Sequence, residues 1–132
     1  MFDRISRALA LTSALLSCVT LPATARADAA IRFGPHADIA AVSALPKKNA
    51  TGPYTLGPIV VVGPAAFLTV YYGEASGQIL AKKTGGTWKI VETNGGAGTA
   101  AEYAKDTHGA LTPAQVCALG HHMPQGPITD CR

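Results

Sequence analysis

Two stretches of this 132-residue chain hold residue types that do chemistry. The first is Asn94-Gly95-Gly96-Ala97-Gly98-Thr99. Glycines ahead of a helix let backbone N–H groups approach an anion, and Gly96-x-Gly98-x-x-Ala101 formally matches the dinucleotide fingerprint. A dinucleotide unit also needs a parallel strand after the helix and an acid about 20 residues on. Here the chain runs on into Cys117 to His121 without a convincing strand, and no Lys completes a P-loop. Gly96, Gly98 and Thr99 therefore stand as candidates for holding a small anion, or as a plain connector.

The second stretch is Cys117, His121, His122 and Met123, residue types that bind copper. Its Cys-x3-His-x-Met spacing is tighter than the cupredoxin pattern, and the only His in the first half of the chain is His36. Pairing of Cys117 with Cys131 would also remove the thiolate. His121 and His122 are the metal candidates, and two histidines in a disulfide-closed loop are the plainer alternative. No G-x-S-x-G, no H-E-x-x-H and no evident carboxylate pair occurs. No catalytic residue or cofactor is indicated.

The N-terminus supplies the compartment. Arg4 and Arg7 precede an apolar run from Ala8 to Leu21, and Ala25-Arg26-Ala27 closes the segment. This is the order of a secretory signal peptide, with cleavage between Ala27 and Asp28. The run is too short for a span, which needs about 20 apolar residues. Leu15-Leu16-Ser17-Cys18 offers lipidation at Cys18 as an alternative, although Leu16 fits a lipobox poorly.

Cleavage changes the bulk properties. Eleven Lys+Arg lose Arg4, Arg7 and Arg26, and eight Asp+Glu lose Asp3, which leaves eight against seven. A net charge of +1 gives no nucleic-acid footprint. Of three cysteines only Cys117 and Cys131 remain, an even pair that reads as a disulfide in an exported domain. The sequon Asn49-Ala50-Thr51 matters only in a eukaryotic secretory pathway.

Residues 28–132 suit one small domain. Ile39, Val42 and Leu45 are spaced for a short helix over Ala37 to Leu45, stopped before Pro46. Between about 54 and 93 the pattern is of strands: Ile59–Val62 and Ala66–Tyr72, each bounded by Gly or Gly-Pro, then Gln78–Lys83 and Thr87–Thr93 around Gly85-Gly86. A two-residue Gly-Gly turn predicts a type I′ hairpin. It sets Lys83 opposite Trp88, Ala81 opposite Ile90, and Lys82 opposite Lys89. Ile79, Ala81, Trp88 and Ile90 then share the buried face, while the opposite face carries the lysines and is expected to be wet, at least at the hairpin tip. Lys82, Lys83 and Lys89 read as a solvated hairpin end or a docking point for an anionic partner.

Helical signals follow. Thr99-x-x-Glu102 and Thr112-Pro113-x-Gln115 are capping boxes, with Gly109 and Gly120 as stops. The expected fold is α+β, an antiparallel meander of three or four strands with short helices before and after it.

Ala66-Phe67-Leu68, Gly77 to Lys83, Gly86 to Val91 and Gly95-Gly96, taken in order, resemble a group of small exported bacterial proteins of uncharacterised function. Where that group often has Gly-Val-Pro before the last helix, this chain has Gly109-Ala110-Leu111-Thr112-Pro113. The resemblance implies the fold and export and carries no activity.

The expectation is a periplasmic or secreted binding module whose partner is an envelope protein or small ligand. A metal protein using His121 and His122, or a small enzyme without a known motif, is the alternative. Mass spectrometry of the exported protein is expected to place its N-terminus at Asp28; a retained Met1 would overturn the export reading.

Overall fold

The computed structural model describes residues 31–131. The expected signal segment, its expected Ala27–Asp28 junction and Cys18 lie outside the described residues. The described chain runs β1 (Arg32–Phe33), α1 (His36–Ser43), a 3-10 turn (Leu45–Lys48), β2 (Thr55–Val62), β3 (Ala65–Tyr72), β4 (Ala75–Thr84), β5 (Thr87–Asn94), α2 (Ala100–Asp106) and α3 (Pro113–Gly120).

The strands form one sheet in the order β1-β2-β3-β4-β5. β2 to β5 make the expected antiparallel meander, but β1 pairs with β2 in parallel. The sheet is thus five-stranded and mixed. Parallel neighbours need a crossover, and the segment with α1 and the 3-10 turn supplies it. A two-residue strand in an Ala- and Pro-rich stretch offers no alternation to read. Its pairing partner lies 27 residues on, at Arg32 with Ile59.

The Gly85-Gly86 hairpin has the expected register, with Lys83 opposite Trp88, Lys82 opposite Lys89 and Ala81 opposite Ile90. Gly85 and Gly86 have φ of 57° and 81°, as a type I′ turn demands. A register shift between Leu80 and Ala81 leaves Val91 as the extra residue on β5.

Both faces of the sheet are covered. Ala65 through Val70 are all buried, so successive side chains of one strand enter different cores. One core holds Ile59, Val61, Leu68, Ile79, Ala81 and Trp88 under Val42 and Leu45 of the α1 segment. The other gathers Val60, Phe67 and Leu80 with Tyr103, Val116 and Leu119 of α2 and α3. The face opposite Trp88, expected to be wet, is therefore a second core around Val60, Phe67 and Leu80, and at the hairpin tip Lys82 and Lys89 reach water.

Both capping boxes form: Thr99 Oγ1 accepts from Glu102 N–H, and Thr112 Oγ1 from Gln115 N–H. α1 spans His36–Ser43 and has no side-chain cap, with Pro46 inside the 3-10 turn instead of ending the helix. Gly109 is left-handed at φ 83°. Gly120 is the last residue of α3, and its role is close packing: a Cβ there would lie 2.9 Å from the Cys131 carbonyl oxygen. That contact presses the tail on α3, where Cys117 and Cys131 are joined with Cα atoms 5.1 Å apart. A cross-link over 14 positions restricts the unfolded chain by about 3 kcal/mol in the chain-entropy account. Replacing both cysteines by Ala is expected to lower unfolding free energy by about 2–4 kcal/mol in urea titrations of the oxidised protein.

Candidate functional site

The glycine-rich segment leaves β5 and enters α2, and the amides of Gly96, Gly98 and Thr99 are engaged within the chain. Gly96 N–H donates to Asn94 Oδ1 (3.0 Å), Gly98 N–H to the Pro127 carbonyl (3.0 Å) and Thr99 N–H to Glu102 Oε2 (2.8 Å). Ala100 N–H donates to Asp130 Oδ1 at 2.9 Å. Carboxylates of the chain itself thus hold the start of α2. Gly98 also accepts from Thr129 N–H (2.9 Å) and bridges Ile128, so the segment clamps the C-terminal tail.

The histidines diverge. His121 caps α3 and is exposed, whereas His122 stacks on Phe33 with ring centroids 3.5 Å apart and planes 16° from parallel. Met123 is buried in the α2–α3 core. Among the described residues, the group of three close enough to share a cation is Cys117, Asp130 and Cys131, and its two sulfurs are joined.

The lysine cluster divides as well. Lys83 Nζ and Trp88 Nε1 both donate to Asp38 Oδ1, each at 2.9 Å. Asp38 lies in the first turn of α1, where a negative charge also meets the positive end of the helix dipole. The Lys83 hydrogen bond, then that of Trp88, holds the Asp38 carboxyl below its usual value. Lys83 is therefore half of a fastening between α1 and the hairpin. Lys82 and Lys89 stay on the other side of the strands.

The open ground lies at the far end of the sheet. α1 and the 3-10 turn cover β3 to β5 only part-way, and beyond them is a groove of about 340 Å³. Val70, Ile79 and Ile90 form its apolar floor, and Asn49 and Thr93 supply a carboxamide and a hydroxyl. Tyr72, exposed at 40% and 6.1 Å from Tyr54 between ring centroids, flanks it. Gly77 opposes Val70 on this face, and a Cβ there would meet nothing within 4 Å. The groove is open at that point because residue 77 has no side chain. Sequence reasoning placed Ile79 and Ile90 on this face but missed Gly77, whose signal was a glycine beside a strand pattern.

The Tyr103 hydroxyl donates to the Gly96 carbonyl and also contacts Gln78 Oε1 at 3.1 Å. Burial, and secondarily Asp106, pushes the Tyr103 phenol above its ordinary value. It stays protonated and ties the loop to the sheet. Comparison with protein-family models, with curated proteins and with solved structures gave no match.

A carboxyl held low in the fold stabilises it above the unfolded-state value of about 3.9, and that contribution is lost as pH falls through the folded value. Asp38→Asn is expected to destabilise the protein at pH 7 and to match it below the folded value of Asp38. Urea unfolding at pH 7 and in steps below pH 4 checks both.

Proposed function

We propose that the chain is an exported, single-domain binding module whose groove over β3, β4 and β5 receives an uncharged, largely apolar ligand. The observation that carries this reading is the groove's lining: an apolar floor, neutral hydrogen-bonding groups at the rim, and open space above Gly77. Small-molecule sites combine these features at volumes of about 300–1,000 Å³. The lining offers contact and orientation, with no nucleophile or acid–base pair. The cysteine pair at bonding distance fits an oxidising compartment, in keeping with the expected signal peptide.

A ligand that enters such a groove gains by leaving water and needs no counter-ion. N-phenyl-1-naphthylamine, a neutral apolar dye that brightens on desolvation, is a suitable probe. Saturable enhancement is expected with the purified protein. Gly77→Leu, which fills the groove, should weaken the dye at least about tenfold, or 1.4 kcal/mol, with the circular dichroism spectrum unchanged. Absent saturation, or equal binding by Gly77→Leu, would sink the reading.

A further inference from the structure

The opposite face of the sheet has its own groove at the same end, of about 350 Å³. Its chemistry differs because alternate residues of β3 serve the two faces: Val70 and Tyr72 line the first groove, Thr69 and Tyr71 the second. We propose that this second groove is a binding site for a neutral saccharide. The proposal is independent of the ligand in the first groove.

Thr69 carries the argument. It is 8% exposed and lines the groove, yet among the described residues its hydroxyl has no hydrogen-bond partner. No side-chain nitrogen or oxygen sealed from solvent lacks a partner among the described residues, so this hydroxyl is reached through the groove. A hydroxyl that no protein group occupies and that opens on the groove is free to donate to and accept from a ligand seated there.

The neighbouring groups state what kind of ligand that is. Ser76, Gln78 and Gln125 add a hydroxyl and two carboxamides, each able to donate and accept. That set matches sugar hydroxyls, which do both. Among the described residues no carboxylate, ammonium, guanidinium or imidazole lines the groove, so none of them offers an ionic ligand a counter-charge. Tyr103 pins one end of the Gln78 carboxamide, which leaves its other end for a ligand and lowers the entropy lost on binding.

Tyr71 supplies the platform. A Cβ at Gly57 would lie 2.7 Å from Cε2 of its ring and 3.0 Å from the Thr69 Cβ. The ring can therefore lie across β2 beside Thr69 only because residue 57 is glycine. A half-buried aromatic ring beside neutral donors and acceptors suits the C–H face of a pyranose, which is apolar while its edge is polar. A peptide is the weaker fit. The lining comes from six separated segments around a compact depression and not from one extended strand edge that would pair with a peptide main chain.

The test is saturation-transfer NMR and titration of the purified protein with glucose, N-acetylglucosamine, their β-1,4-linked dimers and an end-capped Ser-Gly-Ser peptide. At least one sugar is expected to saturate below about 10 mM. Thr69→Val, which keeps the shape and removes the hydroxyl, and Tyr71→Ala, at a half-exposed ring, should each weaken it at least about tenfold, while Gly77→Leu leaves it unchanged. Three results would overturn the proposal: no sugar saturating in that range, both groove variants binding as the parent does, or the peptide binding where the sugars do not. Should Thr69→Val fail to fold, Tyr71→Ala alone decides.

Discussion

Six consecutive residues of β3, Ala65 to Val70, are buried, and a strand sunk on both sides obliges the sheet to be covered on both sides. Among the described residues more than 30 build strands, and the helices that cover the sheet are short. α1 and its 3-10 turn cover one face; α2 and α3 cover the other. Neither cover reaches the end of the strands at Tyr71, Gly77 and Asn94, and a groove lies there on each side. Among the described residues, both candidate sites lie where the short helices stop covering the sheet.

The residues that first suggested chemistry turn out to hold elements in place. Asp38, Lys83 and Trp88 fasten α1 to the hairpin. His122 lies on Phe33, and Gly98 holds the tail through Pro127 and Thr129. Cys117 and Cys131 close the same tail on α3. Short helices with small apolar faces bury little surface, so polar and covalent ties carry a larger share of the work than in a longer chain. Types that elsewhere bind anions or metals are here employed in joining the edges of the sheet to its covers.

Much of the local structure was legible because its causes are local. The Gly85-Gly86 turn dictates its register, and two capping boxes start their helices through side chains three residues apart. β1 was not legible, since a two-residue strand carries no pattern and its partner is distant in sequence. The double-sided core was missed for a related reason. Continuous apolar runs such as Ile59–Val62 signal a strand without saying how many faces are buried.

The grooves show the same division. Gly57, Thr69, Tyr71 and Gly77 are unremarkable in the sequence: two glycines, a threonine and a tyrosine within strand-like stretches. Their meaning depends on what faces them across strands, where one glycine admits an aromatic ring and another leaves open space. The sequence by itself determined the turns, caps, hairpin register and cysteine pairing, because each depends on neighbours in the chain or on a simple count. Only tertiary structure decided the parallel edge strand, the second core and the two uncovered ends of the sheet. Those depend on where distant segments pack against one another, which no local pattern records.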